Sequence, residues 1–405
     1  MLTKNQKKIL QYVEDGNNIF ITGSGGTGKS FITKAIVKQL IENGRIYKLT
    51  ASTGVAAINI GGTTLHFFCG LGLAKGMKTF LARKTMAKKY LRERWQSLDV
   101  LIIDEISMLD IEFLVKIELI VRKVRRDERV FGGIQIILVG DFLQLPNIEK
   151  RDDGIEFLFE HDVWKKLDLK IVNLTHIFRQ SDEKFIRILS SLRYGVVTDE
   201  ADKFIKECMK NKIKKGCKIR PTFLFPKNNS VNRYNNMKLL ELKAKEYLYI
   251  GKGKCYPERS NKKNQCKKML EMFEKNFMIP KELVLKVGAQ VMLVVNMMKD
   301  KLSNGSRGVI LKFEDDLPVV DFGHIVKKID YFTWENKYDN VGEIKYFHLP
   351  LKVAYGISIH KSMGLGINYL AIDLKNVFAE GMFYVGLSRS TNSKNLFILD
   401  YDRSK

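Results

Sequence analysis

Cysteine is scarce in this chain. Five residues, Cys69, Cys208, Cys217, Cys255 and Cys266, are scattered through 405 positions, and none shows C-x-x-C spacing. The six histidines do not cluster with them. A disulfide framework and structural zinc are therefore not expected, and the cysteines read as reduced. Cys255 and Cys266 flank a lysine-rich stretch, where a metal site is the less favoured reading. Long apolar runs are also missing. No stretch approaches the roughly 18 residues of a membrane-spanning helix. The start, MLTKNQKKILQYV, has no signal-peptide core, so an intracellular protein is expected. No internal repeat and no Ser/His/Asp nucleophile set is visible. Acidic residues are the minority: 45 Asp and Glu face 69 Lys and Arg, a net charge of +24. Such an excess favours a polyanionic partner, nucleic acid first and an anionic membrane surface second, over a composition that only aids solubility. At 405 residues and 45% hydrophobic, the chain accommodates two or three domains with sizeable cores.

What is present is organised around Gly23 to Ser30, GSGGTGKS, which fits G-x-x-x-x-G-K-[ST]. A short apolar run with β-branched residues, Asn18 to Thr22, predicts a buried strand before it. Ile32, Ala35, Ile36, Leu40 and Ile41 predict a helix after it, stopped by Gly44. Strand, glycine loop and helix are the context this motif requires. Gly23, Gly25, Gly26 and Gly28 let backbone N–H groups converge on an anion, and the helix start adds a positive dipole end. Lys29 supplies a mobile charge for the β- and γ-phosphates, and Ser30 offers a hydroxyl to Mg²⁺.

Further strands end in polar groups. Val100 to Ile103 runs into Asp104-Glu105, as suits a carboxylate in a Mg²⁺ shell with a water-polarising neighbour. Ile134 to Val139 runs into GDFLQLP, where Gln144 is a neutral group suited to sensing a γ-phosphate. This pattern fits an open parallel sheet with its site along one edge. Thr50 to Gly70 is rich in Thr and Gly and fits phosphate contacts or an ordinary loop. Arg179, just before a helix, fits a solvated residue and a phosphate-binding arginine equally well. A second α/β pattern starts near Thr222, with Asn228-Asn229 expected to cap a helix to about Lys245. Residues 251–268 read as a polar surface loop or insertion, and 309–348 as a small, mostly β insertion. A helix from Ala379 to Leu387 leads to Ser388-Arg389.

Taken in order, these stretches resemble the superfamily-one helicases of the petite-integration-frequency (PIF) family. The matching pieces are Gln6, GSGGTGKS, TASTGVAA with GGTTLH, IIDEISMLD, VGDFLQLP, FRQ, LKVGAQVML with NGSRG, SIHKSMG and YVGLSR, spanning residues 2 to 390. Their order and spacing are far more specific than any one motif. The resemblance implies an α/β fold of two RecA-like P-loop domains with parallel sheets, at 1–175 and 176–405. It adds a wedge segment at about 67–95 and an SH3-like β-barrel insertion at about 309–348. It implies ATP and Mg²⁺ as cofactors, with ATP between the domains. It further implies 5′-to-3′ movement along single-stranded DNA, with tailed or forked duplexes as substrates and a monomer as the acting form. By resemblance, Gln6 reads adenine, and Thr27, Phe31 and Gly364 join the glycines, Lys29 and Ser30 around the nucleotide. Asp104 sits in the metal shell, Glu105 activates water, Gln144 senses the γ-phosphate, and Arg179 and Arg389 reach the phosphates. Thr53, Thr64, His66, His360 and Lys361 match DNA-contacting positions.

The chain departs from the family twice. Met363 replaces the glutamine of H-K-S-Q-G, and Met382 follows Gly381 where the family has G-Q. Both changes remove an amide, so coupling between ATP and DNA binding is where a difference is expected. A non-catalytic single-strand-binding protein would need a broken loop or missing carboxylates, and all are intact. A small-substrate kinase leaves the basic charge and Arg389 unexplained. A DNA-stimulated ATPase that translocates without unwinding is the alternative retained. An intracellular setting is expected, a bacterial cytoplasm or a viral replication site, with nucleus and mitochondrion as open alternatives.

Overall fold

The computed structural model describes residues 2–71, 78–146, 157–213, 219–297, 300, 302, 304–338, 341–379 and 381–403. The chain divides into two compact units, 1–178 and 179–405. Residues 176–178, expected in the second, go with the first, because Phe178 N–H donates to Gly26 O at 2.9 Å.

In the first unit Thr3 starts α1 (Lys4–Glu14) with a reciprocal cap: its hydroxyl accepts from Gln6 N–H and its own N–H donates to Gln6 Oε1. Then come β1 (Ile19–Gly23), α2 (Lys29–Glu42), β2 (Tyr47–Ala51), α3 (Gly54–Ile60), β3 (Thr63–Thr64), α4 (Leu65–Cys69), α5 (Lys78–Ala87) and α6 (Lys89–Ser97). They are followed by β4 (Val100–Asp104), α7 (Ile111–Arg125), β5 (Gln135–Val139), α8 (Asp162–Lys166) and β6 (Lys170–Leu174). The strands form one sheet in the order β3-β2-β4-β5-β1-β6, with every pairing parallel. Side chains alternate between its faces. Ile19, Ile21, Val100, Ile102, Ile137 and Val139 pack with Ile9 and Val13 of α1 and Ile32, Ile36 and Leu40 of α2. Phe20, Leu101, Ile103, Ile136 and Leu138 pack on the other face with α7. Both faces are thus apolar, and the polar groups gather where parallel strands end. The expected wedge window covers the end of α4, α5 and most of α6. Its residues 72–77 lie outside the described residues, while Leu81, Ala82 and Trp95 are anchored in the sheet's core.

The second unit opens with α9 (Glu183–Arg193), α10 (Asp199–Met209), β7 (Thr222–Phe225) and α11 (Asn228–Leu240). Next are β8 (Tyr247–Ile250), β9 (Lys252–Pro257), α12 (Lys263–Asn276), β10 (Glu282–Leu285), β11 (Gln290–Leu293), β12 (Arg307–Glu314), β13 (Leu317–Asp321) and β14 (Val326–Lys328). The chain ends with β15 (Phe332–Tyr338), β16 (Gly342–His348), β17 (Leu351–Val353), β18 (Gly356–Ser358), β19 (Leu370–Ile372), α13 (Met382–Leu387) and β20 (Leu396–Ile398). A parallel sheet, β18-β7-β19-β20, repeats the α/β layout of the first unit. Antiparallel strands form a five-stranded sheet, β14-β13-β12-β11-β17, a three-stranded sheet, β15-β16-β9, and the pair β10-β8.

Four expectations change here. The antiparallel strands run from Tyr247 to Val353, wider than 309–348. Of the loop and insertion readings for 251–268, the loop gives way: they form β9, a short connection and the start of α12. In β9 the lysines 252 and 254 point outward at period two, which low hydrophobicity hides in the sequence. Asn228 is the first residue of α11 rather than its cap, and the helix stops at Leu240. Likewise α13 begins at Met382 rather than Ala379, because Gly381 takes a positive φ of 75° just before it.

Candidate functional site

The loop between β1 and α2 has the geometry of an anion cradle. Gly26 and Gly28 have φ of 89° and 87°, closed to most side chains. At Gly23 a Cβ would meet Leu174 O at 2.6 Å and Thr27 Oγ1 at 2.8 Å. Thr27 is buried and donates to Ser24 O at 2.9 Å, bracing the loop from inside. Lys29 Nζ donates to Gly23 O at 2.6 Å and Ser24 O at 3.1 Å. Its charge also reaches Asp104, where it favours the carboxylate. Ser30 and Phe31 are exposed on the first turn of α2. Gln6 is buried with its Oε1 engaged at Thr3, and its Nε2 lies 3.4 Å from where a Gly28 Cβ would stand. The Phe178 ring is 3.6 Å from the same point and largely exposed. Sequence reasoning assigned Phe178 no role, and only its place in FRQ signalled it.

The carboxylates stand at the end of β4. Asp104 is 6% exposed and accepts from Glu105 N–H at 2.9 Å. Burial, then the Glu105 charge, push its pKa up to about 7. Glu105 is a non-glycine residue at φ 52°, ψ 46°, a left-handed conformation costing about 1–2 kcal/mol. Such strain is found where a side chain is aimed for function. Ser52, beyond β2, donates to Glu105 O at 2.8 Å and holds that turn. β5 lies between the strands of the loop and of the carboxylates. Just beyond it Gln144, 7% exposed, donates through Nε2 to Asp141 Oδ2 at 3.1 Å. Asp141 also accepts from Leu143 N–H at 3.2 Å. It organises this turn, a role the sequence reading did not give it.

In the second unit, Arg179, Gly364 and Arg389 come together. Arg179 donates to Gly364 O at 2.9 Å and Ser388 O at 3.2 Å. Burial, then the charge of Arg389, lower its pKa to about 9. Arg389 is 1% exposed and donates to Val385 O at 3.0 Å, Ser388 Oγ at 2.7 Å and Ser362 O at 3.5 Å. Gln180, not singled out from sequence, donates to Ser388 O and Ser390 O and fixes the same turn. These bonds tie the end of α13 to the HKSMG segment. Met363 closes the turn His360–Ser362, and Met382 starts α13 fully buried. His360 is half-buried with a pKa lowered by burial, and Lys361 is exposed.

The positions matched to DNA contacts in the first unit also have structural duties. Thr53 caps α3 by accepting from Ala56 N–H at 3.2 Å, and Thr64 caps α4 by accepting from Phe67 N–H at 3.2 Å. Their strands pair in parallel, Ala51 beside Thr64. His66 stacks on Phe113 at 3.7 Å and 3°. Burial lowers its pKa while Asp110 opposes the shift.

The family model "PIF1-like helicase" matches residues 1–203, and "DNA helicase Pif1, 2B domain" matches 268–313. The "ATP-dependent DNA helicase PIF1" of Xenopus laevis is 37% identical over 407 residues, covering 99% of this chain and 62% of that relative. The chain thus spans about three-fifths of that curated relative's length. Two solved structures are similar throughout. Pif1 helicase from Candida albicans has a TM-score of 0.77 at 33% identity, covering 100% of this chain and 96% of that one. Bacteroides sp Pif1 in complex with ADP-AlF4 has a TM-score of 0.82 at 29% identity, covering 99% and 93%. A fold shared end to end, with a family match across the loop and both carboxylates, has one consequence: this chain belongs to the PIF1-like helicase family.

Proposed function

We propose that this chain is an ATP-dependent DNA helicase that moves 5′ to 3′ along single-stranded DNA as a monomer and opens tailed or forked duplexes. The observation that carries the reading is the pairing of Lys29, held at the loop by Gly23 O and Ser24 O, with Asp104 and the strained Glu105 on the same sheet. The name of the Xenopus relative and the ADP-AlF4 complex of the Bacteroides one support it.

In this reading the loop N–H groups and Lys29 bind the β- and γ-phosphates. Gln6 and Phe178, both against Gly28, hold the adenine. Glu105 orients the attacking water and takes its proton, and Gln144, steadied by Asp141, faces the γ-phosphate. Two adjacent carboxylates, one of them buried, and the hydroxyl of Ser30, which follows the Lys29 whose charge reaches Asp104, make an all-oxygen donor set whose chemistry fits Mg²⁺. Ser30 and Asp104 would hold the ion, which when bound neutralises phosphate charge. Arg179 and Arg389 are assigned to the developing phosphate charge. The bonds from Arg389 to Ser362 O and from Arg179 to Gly364 O support a link between that role and the neighbouring His360 and Lys361, assigned with Thr53, Thr64 and His66 to DNA.

Lys29→Ala tests the site. It should abolish DNA-stimulated ATPase while single-stranded DNA binding is largely kept, and ATPase at the unmodified rate refutes the reading. Strand displacement on 5′- and 3′-tailed duplexes tests the rest. Unwinding of the 5′-tailed substrate alone is expected. ATPase stimulated by DNA without strand displacement would leave a translocase.

A further inference from the structure

Two cysteines separated in sequence meet in the antiparallel part of the second unit. Cys255 lies on β9 opposite Ile344 of β16. Cys266, on the first turns of α12, is fully buried. Its thiol donates to Glu343 O at 3.8 Å, one residue from Ile344. It also accepts from the N–H of Tyr256, the neighbour of Cys255, and hydrogen-bonds the Cys255 thiol itself. Val341 and Ile344 enclose the pair, and both thiols are free. Cys255 is partly exposed.

We propose that Cys255 and Cys266 form a reversible disulfide that staples β9 to α12, with an anionic low-molecular-weight disulfide of the glutathione type as oxidant. The two thiols lie in one small cluster on two different elements, the juxtaposition that a disulfide between distant positions needs. Lys252, Lys254, Lys262, Lys263, Lys267 and Lys268 surround the segment with positive charge that attracts such an oxidant. Cys255, the accessible member, loses its proton and attacks one sulfur of the oxidant. A mixed disulfide forms and one glutathione thiolate leaves. Cys266 then loses its proton and attacks the Cys255 sulfur, expelling the second thiolate. The two thiolates take up the two protons. The protein is oxidised by two electrons and the oxidant is reduced by two.

The test equilibrates the full chain across ratios of reduced to oxidised glutathione. It is then quenched in acid, alkylated and mapped by mass spectrometry. The expected result is a peptide pair joined through Cys255 and Cys266, reversed by dithiothreitol, with a higher unfolding temperature in the oxidised form. Cys266→Ser should stop at one glutathione on Cys255, and Cys255→Ser should leave Cys266 unmodified. The proposal is overturned if both cysteines of the unmodified chain are alkylated at every ratio. It is equally overturned if Cys255 retains glutathione at equilibrium or pairs with another chain.

Discussion

In the proposed site Gln144 would act through its amide, and Asp141 accepts a hydrogen bond from that amide. Asp141→Ala should therefore lower kcat of the ATPase about ten- to a hundred-fold with KM for ATP little changed, since it misplaces a group rather than removing a binding contact. An unaltered kcat would show that Gln144 is positioned some other way. Lys352 poses a different residue-scale question. It lies on β17, 9% exposed, and burial together with the charge of Lys361 lowers its pKa to about 8. Unfolded, it titrates near its ordinary value of about 10.4. The cost of the charged form is thus fully present below about pH 8 and fades as pH rises toward about 10. Lys352→Met should stabilise the chain at pH 7, with a gain that shrinks between pH 8 and 10. Denaturant unfolding at both ends of that window measures it, and a pH-independent gain would contradict the assignment.

At the scale of elements, the caps of α3 and α4 separate structural from functional threonines. Thr64→Ala should cost about 1 kcal/mol through the lost cap. Thr64→Ser keeps the cap and should restore stability. If Thr64 also touches DNA through its hydroxyl, the serine variant recovers affinity as well, which titration with a labelled single strand reads. Ile36→Ala, in the middle of α2 and fully buried against the sheet, should cost about 2–5 kcal/mol. The elements behind these predictions were legible in the sequence for a physical reason. In β1, β4 and β5 both faces are covered, so they read as unbroken apolar runs. In α2 the buried Ile32, Ile36 and Leu40 fall at helical spacing. β9 and the start of α12 were not legible, because their exposed faces carry lysines and their inward faces hold small or weakly apolar residues, Gly253, Cys255 and Pro257 in β9 and Cys266 in α12. In the site, residue types with few alternative uses, Lys29 in its loop and Asp104-Glu105 at a strand end, were readable. Asp141, Gln180 and Phe178 were not, because their roles come from which atoms they reach after folding.

For the whole molecule, the dominant physical fact is a net charge of +24, and it acts on a different quantity from those above. Charge of this size speaks to association and says little about fold or chemistry. If the partner is single-stranded DNA, lysines and arginines displace condensed counterions, and log K falls linearly with log salt at about −0.7 per phosphate neutralised. Three to five such contacts, as order of magnitude, give a slope of roughly −2 to −4. The ATPase at saturating DNA should be far less sensitive, because in the proposed site the nucleotide would be held at short range by loop N–H groups as well as by the charge of Lys29. The predicted signature is therefore a split. In salt titrations, the DNA concentration giving half-maximal ATPase rises steeply while the maximal rate changes little. Lys361→Ala should reduce the slope by a fraction of one contact's worth to about one, with the maximal rate unaffected if its role is phosphate binding alone. A flat salt profile would mean the basic surface serves solubility, and would move DNA recognition from phosphate contacts to base stacking.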